Sequence, residues 1–461
     1  MKRQAATPKG IERRLDDARF SMVEDPRREA SVRFPLATML SALVAAVVTG
    51  ARALRQLEQR TAQIVQRHGG WRGLTKRIAD NTFSTLLPRL GLWQVLGCLH
   101  RMVKAEHRRG NLEPTYLPVG TVAIDGKHVA TVHWPDLSNL LQAEEANKRN
   151  QARADHSGRL LPTAENVARL RALLAEQYPE AQLGIPDVGE PHVKLRVHTV
   201  TLISSGAAVC VHQRPVPGRT NEIGAMPDLL DELKHVYGRT RLFRRITTDA
   251  GNTSQPVARQ IVELGCDYLC QIKSPHGEIH AEAKRTLGLR SKAQAHASYT
   301  DTQNGEVVTY YLWRIELGEH GWLDWTHARQ VIRIQRIAEH PVTGKRSVGN
   351  RYYVLSESSD ELGPRSALDV SRAHWRCENN THWTADAELL EDRRRLAWSH
   401  HPNGVLVVSA LRMMGLLILA VTRQLSRLGY SRERPSWSQV IQHYLLSLCD
   451  TTLETEAFDT V

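Results

Sequence analysis

Two aspartates stand in apolar, β-branched surroundings: Asp125 in VAIDGKHVATV and Asp249 in RRITTDAGNTS. Each reads as an acid near the end of a buried strand, followed by glycine or by Ala-Gly. A carboxylate there is expensive to bury unless it is paired or holds a cation. Two of them at neighbouring strand ends repel, and a divalent ion relieves that repulsion. A third acid, Glu378, lies midway between two His-Trp pairs in SRAHWRCENNTHW, residues 371–383. Three carboxylates make a hard, oxygen-rich site suited to Mg²⁺ or Mn²⁺ rather than zinc. Two such ions about 4 Å apart can activate water and stabilise a leaving oxygen in phosphoryl transfer.

The 371–383 stretch admits two other readings. If one helix runs through it, His374, Glu378 and His382 recur every four residues and share a face. They would then be zinc ligands of a hydrolase. That reading needs an unbroken helix through Asn379, Asn380 and Thr381, which are poor interior helix residues. It also lacks the HExxH pattern that places a general base. In the plainest reading both His-Trp pairs pack in the core, with Trp375 and Trp383 as anchors. Residue types alone leave all three open.

The elements around these acids alternate. VGTVAIDGKHV, KLRVHTVTLISS, AAVCVHQRPV, RLFRRITTD and DYLCQIK have strand patterns, and NEIGAMPDLLDELKHVYG and SQPVARQIVELG have helical ones. This order predicts an α/β fold, a mixed sheet flanked by helices. Residues 131–192 read as a polar insertion with one helix, TAENVARLRALLAEQY. Residues 275–357 read as a β-rich insertion with a turn at HPVTGKRSVGN. A helix opens after Pro364 and carries Glu378. Residues 1–30 are charged and read as poorly ordered. From Phe34 to about Leu112 the pattern is helical, and the chain closes with helices and an acidic tail. The domain expectation is therefore 1–118, a basic helical module; 119–400, the body with its two insertions; and 401–461, C-terminal helices and tail.

Charge is concentrated at one end. The chain carries 61 Lys and Arg against 49 Asp and Glu; residues 1–120 hold 21 against 10, leaving 40 against 39 for the rest. A basic module on a near-neutral body points to a polyanion partner, usually nucleic acid. The two longest apolar stretches, 36–51 and 404–421, read as buried helices, because the first is short and Arg412 interrupts the second. The N-terminal residues lack the apolar core of a secretory signal. Six scattered cysteines contain no CxxC pair, so neither a zinc knuckle nor a disulfide framework is signalled, and a reducing, cytoplasmic compartment is expected.

Five successive blocks carry a family resemblance: VAIDGKHV, RTNEIGAMPDLLDEL, ITTDAGNTSQPVARQIVELGCDYLCQIK, TGKRSVGNRYYVLSES and RAHWRCENNTHWTADAELLEDRRR. With the N-terminal DPRREASVRFPLATMLSALVAAVVTGARALRQL and NTFSTLLPRL, they resemble insertion-sequence transposases of the ISAs group, relatives of the H-repeat-associated proteins. The resemblance covers most of residues 25–425. It implies a ribonuclease-H-like core with an Asp-Asp-Glu triad, and places that triad on Asp125, Asp249 and Glu378. It also marks Lys127, Asn221 and Glu222 as contacts to DNA or supports of the site. Arg372 and His374, near Glu378, are candidates to touch the scissile phosphate or to hold the site from behind. A related group carries Tyr, Arg and Lys around its glutamate, where Ser371, His374 and Ala385 stand here.

The implied activity is Mg²⁺- or Mn²⁺-dependent cutting of double-stranded DNA at element terminal inverted repeats. The freed 3′-OH then joins target DNA, by two ions and in at least a dimer, with no membrane partner. Two alternatives accompany it: a DNA-binding relative of the same fold without catalysis, and the zinc hydrolase on His374, Glu378 and His382.

Overall fold

β1 (Thr121–His133) organises the sheet, because its first four residues are fully buried and it pairs on both sides. The structure is a computed structural model and describes residues 8–148, 160–186, 189–317, 325–391, 401–425 and 434–449. The acidic tail, at 450–461, lies outside the described residues.

Nine further strands follow: β2 (Ala181–Gly184), β3 (His192–Leu202), β4 (Val209–Pro215), β5 (Arg245–Thr248), β6 (Asp267–Ile272), β7 (Ala297–Gln303), β8 (Glu306–Glu316), β9 (Gln330–Glu339) and β10 (Arg346–Leu355). β3 runs antiparallel to β1, β5 runs parallel to it, and β6 runs parallel to β5. β2 and β4 pair with different halves of β3. The order β4–β3–β1–β5–β6, with these directions, is a ribonuclease-H-like core. β10, β9, β8 and β7 then extend the same sheet outward from β6, all antiparallel. The residues read as a β-rich insertion thus continue the same sheet. The β7–β8 turn is Asn304-Gly305, both at positive φ, as a two-residue hairpin requires.

Helices cover the sheet and build the N-terminal part: α1 (Pro8–Ala18), α2 (Leu36–Val48), α3 (Leu54–His68), α4 (Asp80–Leu86), α5 (Leu92–Arg108), α6 (Trp134–Lys148), α7 (Ala164–Gln177), α8 (Glu222–Tyr237), α9 (Gln255–Glu263), α10 (Glu278–Gly288), α11 (Pro364–His374), α12 (Trp383–Ala387), α13 (Pro402–Leu425) and α14 (Trp437–Cys449). Caps fix several starts. Thr163, Asn221 and Ser254 accept the N–H groups of Asn166, Gly224 and Val257.

Three expectations change. The segment at 8–18 is an ordered helix, with Ile11 and Leu15 buried and Arg109 bridging Asp17 at 2.5 Å. Its apolar face is only two or three side chains wide, so the charges around it dominate the sequence pattern. The 131–192 segment begins and ends inside the sheet, since Val132 and His133 still pair with Val193 and His192. The 275–357 segment contains a helix, α10.

One hydrophobic cluster runs from Ile11 to Cys449 and joins the N-terminal helices, the sheet and the C-terminal helices. α13 is its axis. Among the described residues it is the one helix long and apolar enough to cross a membrane, yet its most apolar stretch is wholly buried within the protein. It approaches α2 so closely that a β-carbon on Gly415 would lie 2.5 Å from Val47 Cγ1. Gly415→Ala should therefore overpack this contact and cost about 1–3 kcal/mol. Urea unfolding would read the loss, and adding Val47→Ala should restore part of it.

Candidate active site

Asp125 is the fifth residue of β1, opposite Thr199 of β3. It is mid-strand rather than near a strand end, but its parallel partner stops there. The β1–β5 pairing ends at Ile124 and Thr248, so Asp249 leaves the sheet beside Asp125. Gly126, the glycine after Asp125, continues β1 rather than ending it. A β-carbon there would fall 2.3 Å from Glu222 Oε1, so the glycine makes room for that carboxylate at the start of α8.

Asp249 caps the short turn Ala250–Asn252. Its carboxylate accepts the backbone N–H of Asn252 at 3.0 Å and of Gly251 at 3.2 Å, and the Asn252 amide at 2.9 Å. His198 Nε2 holds Asn252 Oδ1 from behind at 3.0 Å. Glu378 comes from the other side, in a π-helical turn, Cys377–His382, inserted between α11 and α12. The poor helix formers Asn379, Asn380 and Thr381 are this wider turn. Such turns inside α-helices occur frequently at functional sites.

The acids sense one another. Burial pushes the Asp125 carboxyl up to about 7, and the charges of Asp249, Glu378 and Glu222 add to the push. Burial and Asp249 also raise Glu378, against the opposing charge of Arg351. Glu222 rises for the same two reasons, against Arg196. The Cys377 thiol lies 3.8 Å from Asp125 Oδ2, and His382 Nδ1 lies 3.6 Å from the same oxygen.

The two histidines of the zinc reading are engaged elsewhere. His374 Nδ1 meets Thr247 Oγ1 of β5 at 2.8 Å, and His382 Nε2 meets Thr199 Oγ1 of β3 at 2.7 Å. Burial holds them near 4 and 3, hence neutral. Among the described residues no three His, Cys, Asp or Glu side chains are drawn together tightly enough to enclose an ion unaided. The donor chemistry nonetheless fits a hard divalent cation. Four carboxylates share one mutually repulsive neighbourhood, and each oxygen has two lone pairs, so Asp249 can keep its cap and still ligate.

The remaining predicted residues take supporting positions. Lys127 is buried, with Nζ 2.5 Å from Asp386 and 3.5 Å from Glu391, which itself faces Arg412 of α13 at 3.8 Å. It ties the strand of Asp125 to the segment after Glu378, with only 4% of its side chain exposed. Asn221 is the cap that sets Glu222 in place. Arg372 lies over the Tyr299 ring, 3.9 Å from its centre, and pairs with Asp301. His374 is buried behind the acids. Trp383, expected as a core anchor, is 53% exposed, and Trp375 is half-buried under Arg351. Sequence reasoning passed over Thr199, Cys377 and Arg351. Thr199, in VHTVTL, gave only the strand signal.

Asp125 sets a pH dependence in the absence of divalent ions. Folded, it keeps its proton to about 7; unfolded, to about 3.9. The folded state binds the extra proton in that window, so this group's stabilisation is lost as pH rises through it. Three pKa units at ~1.36 kcal/mol bound the loss at about 4 kcal/mol. His198, His374 and His382, held low by burial, act oppositely and add stability as pH rises to about 6.5, from about 4 for the first two and about 3 for His382. The readout is therefore a difference. In EDTA, Asp125→Asn should gain on the wild type from pH 4 to pH 7 by ~2–4 kcal/mol in urea unfolding. A gap that stays constant with pH would contradict the buried, repelled carboxyl.

Residues 187–399 match the family described as the transposase DDE domain. Those residues are similar to a transposase DDE domain. Asp249 and Glu378 fall inside the matched residues. Asp125, on β1, lies ahead of them and joins the domain's sheet through β3 and β5. Among curated proteins, the chain is 24% identical over 251 residues to "Putative transposase YncI" of Escherichia coli O157:H7, covering 52% of this chain and 60% of that one. It is 25% identical over 234 residues to "H repeat-associated putative transposase YhhI" of Escherichia coli K12, covering 48% and 58%. The matches thus span about 60% or less of those relatives' lengths. A piggyBac transposase synaptic complex with hairpin DNA superposes with TM-score 0.39 at 13% identity, over 97% of this chain and 79% of that one. Transposases with the DDE domain generally use divalent metal ions.

Proposed function

We propose that the protein is a DNA transposase that cuts double-stranded DNA at the terminal inverted repeats of its element and joins the freed 3′-OH to target DNA. Asp125, Asp249 and Glu378 are its catalytic, metal-holding acids. What supports this reading is that β1, the loop after β5 and the π turn carry the three acids, and that Asp125 senses the charges of Asp249 and Glu378. Bound there, two Mg²⁺ or Mn²⁺ ions would activate the attacking hydroxyl and stabilise the leaving oxygen.

The chain's own residues orient the acids. The Asn252 and Gly251 amides fix Asp249, the Lys127 ion pairs clamp β1 to the segment beyond Glu378, and Thr199 and Thr247 hold the neutral histidines behind. The excess of Lys and Arg in residues 1–120 supports phosphate contacts by the helical module, 1–118. Residues 119–400 then form the catalytic part, and within 401–461 the helices α13 and α14 brace both through the shared core. Synapsis of two element ends calls for a homodimer. All six cysteines are free, consistent with action in the reducing cytoplasm.

The test incubates the full-length protein and Mg²⁺ with DNA carrying the sequences that flank its own coding region, plus a plasmid target. Specific nicks exposing 3′-OH ends, and their joining to the plasmid, are expected. Salt-sensitive binding without any cutting would favour the non-catalytic relative. Cutting that follows added zinc and survives Asp125→Asn would favour the hydrolase.

A further inference from the structure

An open groove of about 610 Å³ runs between the α11–π-turn segment and the outer strands β8–β10. Its wall includes Asn379, next to Glu378, and four arginines, Arg336, Arg351, Arg372 and Arg376. Three of these are committed within the protein. Arg372 pairs with Asp301 at 3.5 Å, and Arg336 pairs with Glu306 at 3.8 Å. Arg376 donates to the carbonyls of Ser205 and Gly206 at 2.8 and 3.1 Å.

Arg351 differs. It is exposed, on β10, and makes no ion pair among the described residues. Its guanidinium carbon lies over the Trp375 ring, 4.3 Å from the centre. The stack separates the groove from a second hollow of about 240 Å³ that Lys273 and His280 help to line. Part of the guanidinium reaches the buried Tyr353 hydroxyl, and the remaining N–H groups of its planar fork match phosphate oxygens. Its charge also reaches Glu378, whose upward shift it opposes.

We infer that Arg351, braced on Trp375, binds one backbone phosphate of the DNA strand that enters the acid site, and that the outer strands exist in part to present it. This rests on the transposase reading, since a phosphate beside Glu378 has a place only if DNA reacts there. A cation kept next to the carboxylates but outside their ion pairs can anchor the strand without neutralising the acids that must take metal.

The test is equilibrium binding of a nicked end duplex, in which single phosphates near the cut are replaced one at a time by uncharged methylphosphonates. Wild type should lose about tenfold in affinity at one position, a typical effect for one charge-assisted contact. Arg351→Gln should bind the natural duplex about tenfold more weakly and lose nothing further at that position, with Arg351→Lys intermediate. The salt slope of Arg351→Gln should be shallower by about 0.7–0.9, the value of one phosphate contact. If Arg351→Gln binds as wild type does, or is as sensitive as wild type to every neutral phosphate, the assignment is overturned. Asp249→Asn serves as the reference. It should lose cutting but keep the Arg351-dependent position, so failure of the catalytic reading and failure of the phosphate contact give different patterns. Matching thermal unfolding of the Arg351 variants and wild type identifies a folding defect, and Arg351→Lys then carries the comparison.

Discussion

Asp125→Asn, Asp249→Asn and Glu378→Gln should each lower Mg²⁺-dependent DNA cutting by ~10³-fold or more, about 4 kcal/mol of transition-state stabilisation. The amides keep size and shape, so the loss reports charge and ligation rather than packing. For Asp125 the account adds a second expectation in the opposite direction. Burial pushes its carboxyl up to about 7, and the neighbouring charges of Asp249 and Glu378 add to the push. Removing that charge should stabilise the ion-free protein at neutral pH. Loss of cutting with a gain in stability marks a residue kept for chemistry at a structural cost. A rate within tenfold of wild type for any one of the three variants would remove that residue from the catalytic set.

The largest stability effect is expected away from the acids. Arg245, at the start of β5, and Glu357, just after β10, form a buried bidentate pair, with Nε to Oε2 at 2.6 Å and Nη2 to Oε1 at 2.5 Å. Gln330 of β9 donates to the Glu357 carbonyl at 2.8 Å. The pair fastens the end of the outer strands to the strand that delivers Asp249. Glu357→Gln leaves the guanidinium buried without its counter-charge and should cost about 3–5 kcal/mol. Replacing both partners, Arg245→Met with Glu357→Leu, should recover most of that loss. Denaturant unfolding decides the matter, and a Glu357→Gln loss below about 1 kcal/mol would show that the pair contributes little.

Much of this arrangement is legible in the residues. Strand patterns with β-branched residues marked the core strands, and the two aspartates stood out because an acid is out of place in such a segment. What was hidden depended on contacts between distant residues. Asp125 read as lying near a strand end, but β1 runs on through Gly126, which admits the Glu222 carboxylate, 96 positions further along. The Asn379–Thr381 run argued against a helix and instead forms the π turn that carries Glu378 inward. Lys127 read as a contact to DNA or a support of the site, and only the fold reveals Asp386 and Glu391 around it. α1 was obscured because a few buried apolar residues sit among many charges. Arg351 left no signal, since an arginine on an outer strand reads as solvent-facing until Trp375 is seen beneath it.

The most direct measurement is a crystal structure of the protein with its end DNA and Mn²⁺, read by anomalous scattering from the metal. The account predicts manganese peaks among the carboxylates of Asp125, Asp249 and Glu378. Peaks on His374 and His382 instead, or a DNA-bound structure in which any one of the three acids stays out of reach of the metal, would contradict it.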